Sequence, residues 1–161
     1  MVKTKRIKLS TKGRDDMIDI TAEVAEAIAK SKVKDGIVTV FIYGSTASVT
    51  TIEYEPGLVK DIKTIDEQLV PSNVSYAHDE TWGDANGYAH LRASWIGPSL
   101  TVPIEKGSMT LGTWQQIVVI DHDNRPRSRE VIIQILGDPS TEPLGKLGAA
   151  PSEVEVLGVK E

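Results

Sequence analysis

The stretch Ile-Val-Thr-Val-Phe-Ile-Tyr, residues 37–43, is apolar on both of its alternating faces. β-branched and aromatic residues dominate it, which is typical of a strand. A strand with two apolar faces is usually buried on both sides, so the pattern predicts that residues 37–43 lie in the middle of a sheet. A small hydroxyl-rich turn follows at residues 44–48, and residues 49–54 resume β-branched strand chemistry.

Before this strand, the sequence predicts an edge strand and a helix. Residues 3–10 alternate polar or basic with apolar side chains, a pattern typical of a polar edge strand. Thr21 is the predicted N-cap of the helix. The apolar positions of this helix share one face at spacings i, i+4, i+7 and i+8: they are Ile20, Val24, Ala27 and Ile28.

After it, two further helices and several strands are predicted. One helix begins near Pro56 and is stopped by Pro71, because proline suits a first turn but cannot continue a helix. Residues 71–85 form a long loop, and Asn86 caps a third helix that reaches Ile96. The remaining sequence is β-rich, with predicted strands at residues 100–104, 109–111, 116–120 and 130–136.

Length and composition restrict the class of protein. The 161 residues suit one domain, which we predict over residues 1–137, followed by a Gly/Pro-rich tail over 138–161. The absence of cysteine excludes disulfides, thiolate metal sites and a cysteine nucleophile. A net charge of -5 gives no global basic field for nucleic acid. No apolar run is long enough for a membrane helix and no signal peptide is visible, so we expect a cytoplasmic protein.

The three histidines are the first candidates for chemistry. His78 lies in the long loop, His90 in the third helix and His122 at a strand end. Together they could ligate one metal and leave a coordination position open, as in a catalytic zinc site. Asp79 or Asp121 could orient a ring by hydrogen bonding to its second nitrogen. Their spacing contains no compact metal-binding motif, so three unrelated polar histidines are the alternative.

Other residues could bind a substrate. Ser45 and Thr46 could cradle a phosphate or carboxylate, unless their turn is an ordinary strand bend. Trp114 could stack on a flat heterocycle while Gln115 contacts its polar edge; a core tryptophan with a capping amide is the alternative. Three alternate arginines could bind a pyrophosphate or form a solvated hairpin tip: these are Arg125, Arg127 and Arg129.

Five motifs, taken in order, resemble the YjbQ family, whose members are described as secondary thiamine-phosphate synthases. The motifs are Phe-Ile-Tyr-Gly-Ser-Thr-Ala-Ser-Val-Thr-Thr-Ile-Glu-Tyr-Glu-Pro (41–56), Tyr-Ala-His-Asp (76–79), Asn-Gly-Tyr-Ala-His-Leu (86–91), Ile-Gly-Pro-Ser-Leu-Thr-Val-Pro (96–103) and Leu-Gly-Thr-Trp-Gln (111–115). The similarity covers roughly residues 2–137, which leaves only the Gly/Pro-rich tail outside it.

The resemblance implies an α+β fold, a largely antiparallel β-sheet assembly with a few helices, assembled as a homotrimer. It implies a bound divalent metal, zinc or magnesium, and an activity that joins a pyrimidine diphosphate to a thiazole phosphate and releases pyrophosphate. The expected partners are further copies of the chain and a small phosphorylated metabolite, with no nucleic acid and no membrane.

Residue by residue, the resemblance matches His78, His90 and His122 with histidines of the family, and residues 112–115 with its Gly-Thr-Trp-Gln turn. The three histidines would then hold the metal and carry the catalysis. The metal would hold the diphosphate leaving group, and Arg127 and its neighbouring arginines would offset the charge.

Two departures from the family pattern leave the function open. Tyr-Gly-Ser-Thr at residues 43–46 stands where many members have Pro-His-Thr-Thr, and Tyr88 replaces the first histidine of the helix motif. An acid–base role that rests on either lost histidine cannot be transferred. The alternatives are a non-catalytic trimeric protein that binds a small anionic metabolite or a metal, and a metal-dependent hydrolase.

Overall fold

A computed structural model describes residues 1–139, which contain eight strands and four helices. Their bounds in chain order are β1 Val2–Thr11, β2 Asp16–Asp19, α1 Thr21–Ser31, β3 Asp35–Tyr43, β4 Ala47–Ile52, α2 Pro56–Leu69, α3 Ala77–Trp82, α4 Gly87–Ile96, β5 Ser99–Glu105, β6 Ser108–Met109, β7 Gln116–Asp121 and β8 Arg127–Asp138. The predicted boundary at residue 137 falls at the end of β8. Nearly all of the predicted tail, residues 140–161, lies outside the described residues.

The strands form two antiparallel sheets, which confirms the α+β prediction. The larger sheet has the order β1-β8-β3-β5-β6, so β3 is its middle strand and β1 is an edge strand, as the sequence indicates. The smaller sheet has the order β2-β7-β4. It packs against one face of the larger sheet, and helix α1 completes the main core between them.

Strand β7 is the strand that is buried on both faces. Its side chains Ile117 and Val119 enter the main core. Val118 and Ile120 point the other way and join a second core, to which α2 and α4 contribute partly buried side chains. The smaller sheet is therefore covered on one side by the larger sheet and on the other by helices.

The prediction that residues 37–43 are buried on both faces is wrong. Val38, Val40 and Ile42 are fully buried, whereas Phe41 and Tyr43 on the opposite face are exposed. The reason is that, among residues 1–139, no element covers the outer face of the larger sheet. Alternating apolarity shows what a strand could bury, and the layers around it determine what it does bury.

The predicted face of α1 is confirmed, because all four of its apolar residues are buried. The N-cap prediction is off by one residue: Ile20 is the N-cap and Thr21 is the first helical residue. The Asp19 carboxylate accepts hydrogen bonds from the Thr21 backbone N–H at 2.9 Å and from its hydroxyl at 2.6 Å. Among residues 1–139, no helix has both the length and the apolar character needed to cross a bilayer.

Candidate functional site

Helices α3 and α4 bring two of the three histidines together. The carboxylate of Asp79, in the first turn of α3, accepts the backbone N–H of Tyr76 at 3.0 Å and that of Gly87 at 2.9 Å. Gly87 is needed at this contact, since a Cβ on it would lie 2.7 Å from the Tyr76 Cβ. Because the two helix starts are joined in this way, the rings of His78 and His90 lie against each other, with centroids 4.3 Å apart and planes tilted by 36°.

A potential ligand set surrounds His78. Its Nδ1 atom lies 3.8 Å from Asp79 Oδ1 and 3.7 Å from Asp84 Oδ1. With its amide oriented as its surroundings require, Asn86 donates to Asp84 Oδ1 at 3.0 Å and fixes that carboxylate. Within the described chain, His78 Nδ1 is buried and has no hydrogen-bond partner. We call His78, Asp79, Asp84 and His90 the rim cluster.

Two groups of the rim cluster, His90 and Asp79, have pKa values shifted toward the forms that bind metal. Burial lowers the pKa of His90 below its ordinary value, and the neighbouring His78 lowers it further. The two backbone N–H groups that bind Asp79 lower the pKa of that carboxyl. Neutral imidazole and ionised carboxylate are the forms that ligate zinc, and three protein ligands leave a position for water or substrate.

Two turns that carry arginines are tied to the loop that holds Asp84. The Asn124 side chain donates to the Asp84 carbonyl at 2.8 Å, which ties the β7–β8 turn to the loop before α4. The Arg14 backbone N–H donates to the Asp123 carbonyl at 2.7 Å and anchors the β1–β2 turn to the same place. The side chains of Arg14 and Arg125 are exposed, and neither forms an ion pair within residues 1–139.

His122 belongs to a different group of residues. Its Nδ1 lies 2.5 Å from Asp15 Oδ1, and its Nε2 lies 2.9 Å from the Ser48 hydroxyl. An Asp66 carboxylate oxygen lies within 4.8 Å of the ligand atoms of Asp15 and His122. We call Asp15, Asp66 and His122 the buried cluster. The Ser48–His122–Asp15 chain resembles a catalytic triad, but Ser48 and His122 are completely buried and cannot contact a substrate in this state.

The structure therefore divides the three histidines between two clusters. His78 and His90 are together, with Asp79 beside His78 as the sequence suggests. His122 points inward, where its two nitrogens are engaged by Asp15 and Ser48. Among residues 1–139, the groups of three potential ligands within 4.8 Å contain His78 or His122 but never both.

Asp121 does not hydrogen bond to the His122 ring. Its two carboxylate oxygens each lie 2.7 Å from a nitrogen of Arg129, and its Oδ2 also accepts the Thr11 hydroxyl at 2.5 Å. This carboxylate therefore neutralises Arg129, a residue that the sequence spacing offers as a pyrophosphate ligand.

Two predicted substrate-binding residues are also engaged by a carboxylate. Arg127 donates to Asp123 at 2.7 Å, and the Thr46 hydroxyl donates to the same carboxylate at 2.9 Å. Burial alone would raise the pKa of Asp123, but the bonds from Thr46 and Arg127 together lower it, so it stays ionised and offsets the charge of Arg127. Ser45, in the same turn as Thr46, is exposed.

Trp114 and Gln115 lie at the opposite end of β7. Trp114 is 70% exposed, and Gln115 closes its own turn by accepting the Gly112 N–H at 2.8 Å. Seven residue steps along β7 separate Gln115 from His122, which is about 23 Å at the usual rise of about 3.3 Å per residue. Within one chain, the structure does not bring Trp114 and Gln115 to the rim cluster.

Several residues of these clusters escape sequence reasoning. Ser48 is 74 residues from His122, and Asp15 is 107 residues from it. Asp66 is the buried residue of α2 and lies four positions after Ile62, on the face that packs on the second core. Asp15 belongs to Gly-Arg-Asp-Asp at residues 13–16, a sequence typical of a turn. Nothing in these four residues indicates that one of the two aspartates is buried.

Comparison with known proteins agrees with this fold. Residues 5–138 match the family described as UPF0047 protein YjbQ-like. A UPF0047 protein of Methanothermobacter thermautotrophicus is 39% identical over 138 residues, which are 86% of this chain and 94% of that protein. The UPF0047 protein YugU of Bacillus subtilis is 33% identical, over 85% of this chain and 100% of that protein.

A crystal structure of a YbjQ-like protein of unknown function from Sulfolobus solfataricus superposes with a TM-score of 0.82 at 33% identity, covering 86% of this chain and 99% of that one. An uncharacterised YjbQ/UPF0047 protein from Clostridium acetobutylicum gives a TM-score of 0.75 at 35% identity, covering 82% and 99%. Both the sequence match and the shared fold extend over nearly all of the described residues, and the chain therefore belongs to the YjbQ-like UPF0047 family.

Proposed function

We propose that the rim cluster binds a divalent cation, zinc or magnesium, beside a site for a small phosphorylated metabolite. The observation that carries this proposal is His78 Nδ1, which is buried, lacks a hydrogen-bond partner in residues 1–139 and faces carboxylates 3.7 and 3.8 Å away. A buried polar atom without a partner is costly unless a ligand completes it. His78, Asp79 and Asp84 would hold the ion.

The metabolite would bind through charge. A bound cation would neutralise negative charge on the phosphate groups of the substrate. Arg14 and Arg125, which stand exposed in the adjoining turns, would bind phosphate oxygens. His90 is kept neutral by burial, so it can accept or donate a proton at the edge of this site.

The specific reaction we propose is the one that the family resemblance implies, in which a pyrimidine diphosphate and a thiazole phosphate are joined and pyrophosphate is released. In this reaction the two exposed arginines would hold the departing pyrophosphate. The role assigned to a third histidine passes from His122 to the carboxylates of Asp79 and Asp84, since His122 is enclosed in the other cluster.

Non-catalytic binding is the second candidate, and one observation favours it. Tyr88, which replaces a histidine of the family motif, is buried and has the Arg92 guanidinium 4.9 Å from its ring centre. Burial raises the pKa of its hydroxyl, so Tyr88 stays neutral and is a poor base at neutral pH. Binding of a phosphorylated metabolite would survive this replacement even where turnover does not.

The homotrimer and the cytoplasmic location predicted from the sequence are also part of the proposal. The uncovered outer face of the larger sheet presents Ile37, which pairs with Leu136, and Phe41 four residues further along β3. A second copy of the chain could cover this face. Light scattering should then report a trimer for the wild type and a smaller species for Phe41→Glu. A monomeric wild type at micromolar concentration would contradict the trimer.

Metal content and turnover together test the proposed function. Wild type, His78→Ala, Asp84→Asn and the control Asp61→Asn, an exposed carboxylate on α2, are loaded with zinc and dialysed against a weak chelator. Mass spectrometry should find one fewer zinc per chain in His78→Ala and Asp84→Asn and no change in Asp61→Asn. Equal metal content in all four proteins would refute the rim-cluster site.

Turnover separates the two candidates. Zinc-loaded wild type is incubated with the pyrimidine diphosphate and the thiazole phosphate, and pyrophosphate release is measured. Pyrophosphate release by wild type that is lower in Asp84→Asn supports the transferase. Calorimetric binding of the diphosphate without release supports the binding protein, and the absence of both eliminates the phosphorylated-metabolite proposal.

A further inference from the structure

We propose that the buried cluster, Asp15, Asp66 and His122, is a second cation site that takes a divalent transition-metal ion. Each residue offers one ligand atom, and the three atoms lie within 4.8 Å of one another. One imidazole nitrogen and two carboxylate oxygens are ligands that zinc and manganese accept. This site is distinct from the rim cluster, with which it shares no residue.

The first observation behind this proposal is an orphaned oxygen. Asp66 is 8% exposed, and its Oδ2 atom is buried without a hydrogen-bond partner within the described residues. Asp66 also supplies a carboxylate oxygen that lies within 4.8 Å of the ligand atoms of Asp15 and His122. A buried carboxylate oxygen needs a proton, a donor or a cation, and residues 1–139 supply no donor.

The second observation is the charge balance. Asp15 pairs with one buried guanidinium, that of Arg92, whose Nη1 donates to Asp15 Oδ2 at 2.6 Å, whereas Asp66 forms no ion pair within the described residues. Arg92 also donates to Glu67 at 2.7 Å, so its charge is shared with a third carboxylate. With both aspartates ionised and His122 neutral, at least one negative charge therefore remains unbalanced. A divalent cation would balance it without removing Arg92 from Asp15.

The third observation concerns the histidine tautomer. Ser48 lies 2.9 Å from His122 Nε2, and a serine hydroxyl can accept a hydrogen bond as well as donate one. Nδ1 and Asp15 Oδ1 lie close enough to share a proton, and a cation would displace that proton while Nε2 keeps a proton and donates to Ser48. The 2.5 Å separation between Nδ1 and Asp15 Oδ1 is then where a cation would enter. Ligand bonds of about 2.0–2.2 Å would move these two atoms roughly 0.5–1 Å apart.

The variant Asp66→Asn tests the site without threatening the fold. The Asp66 side chain forms no hydrogen bond within residues 1–139 that the replacement would break, and its Oδ2 is unpartnered. The amide has nearly the same shape and no charge. Metal-free Asp66→Asn should therefore be at least as stable as metal-free wild type, and loss of metal binding in it cannot be attributed to unfolding.

The experiment uses zinc alone as the probe and five proteins: wild type, Asp66→Asn, Asp84→Asn, the double variant and the control Asp61→Asn. After zinc loading and dialysis, we expect two ions per chain in the wild type, one in each single variant and none in the double variant. Asp61→Asn, on the same helix as Asp66 but exposed, should keep two.

A second readout reports on the ligand itself. In nitrogen-15 spectra of histidine side chains, zinc should shift the Nδ1 signal of His122 in wild type and in Asp84→Asn, and should leave it unchanged in Asp66→Asn. An unchanged His122 signal in zinc-loaded wild type, or equal zinc content in wild type and Asp66→Asn, would overturn the second site. The rim cluster is intact in Asp66→Asn, so a failure of the second site would leave the proposed function standing. If only Asp84→Asn loses zinc, the result supports the rim cluster and not the buried cluster.

Discussion

Replacement of Arg92 by methionine should destabilise the fold more than any exposed arginine replacement. The Arg92 side chain is 2% exposed and connects three parts of the structure. It donates to Asp15 after β1, and its Nε and Nη2 reach the Val70 carbonyl at the end of α2 at 3.1 and 2.6 Å. Methionine fills similar volume and removes the charge and every donor.

The magnitude follows from what the variant leaves behind. Asp15 would stay buried without its counter-charge, and the Val70 carbonyl would lose both donors. Breaking a buried ion pair by removing one partner costs about 3–5 kcal/mol. With an m value of roughly 2 kcal/mol/M in urea, a loss of this size lowers the unfolding midpoint by about 2 M.

Urea unfolding followed by circular dichroism measures this loss. Metal-free proteins are compared at one fixed concentration, because association would otherwise contribute to the apparent stability. The control is Arg6→Met: Arg6 pairs with Glu130 at 2.5 Å but its side chain is 58% exposed. That variant should lose no more than about 1 kcal/mol.

The double variant Arg92→Met/Asp15→Asn completes the test. Because Asp15→Asn removes the charge that Arg92→Met leaves unpaired, the double variant should be more stable than the sum of the single losses predicts. A cost for Arg92→Met no larger than that for Arg6→Met, or losses that add within about 0.5 kcal/mol, would refute the reasoning.

Two other predictions concern a close backbone contact and an acid-sensitive carboxylate. Gly36 faces Gly137 across β3 and β8, and a Cβ at Gly36 would lie 2.7 Å from the Gly137 Cα, so Gly36→Ala should cost about 1–3 kcal/mol by urea unfolding; an unchanged midpoint would contradict this. The backbone N–H groups of Tyr76 and Gly87 lower the pKa of Asp79, so its stabilising contribution is present above the unfolded pKa of about 3.9 and disappears as pH falls through the folded value. In the presence of a chelator, Asp79→Asn should therefore lower the melting temperature at pH 7 and flatten its decline below about pH 4, whereas parallel melting curves for the two proteins would count against this role.

Local patterns predict the parts of this fold that depend on neighbouring residues. The charged alternation of β1 identifies an edge strand, and the spacing of Val24, Ala27 and Ile28 identifies the buried face of α1. Helix α3 was not predicted, because the six residues of Ala77–Trp82 are too few to show a period. The predicted burial of the outer face of β3 is wrong, because the sequence of one strand does not show whether another layer covers that face.

The candidate site was predictable only in part for the same reason. His78 and His90 are close in sequence, and the two short helices that carry them bring their rings into contact. The surroundings of His122 depend on Asp15 and Ser48, which β2 and β4 bring to the end of β7 from distant parts of the chain. Spacing also places Arg127 and Arg129 on one face of a strand, but it does not reveal that aspartates neutralise them.

The pairing of β8 with β1 and β3 has a consequence for biosynthesis. Val2 pairs with Leu136 and Thr11 with Arg127. Strand β1 is synthesised first, and its pairing partner β8 is the last described strand to be synthesised. The middle strand β3 likewise lacks one neighbour until then. Such distant contacts make folding slow, and during this wait the cationic side chains of Lys3, Lys5 and Lys8 discourage a foreign strand from pairing with β1. A ribosome that stalls before residue 127 would leave a nascent chain whose central strand is open along one edge.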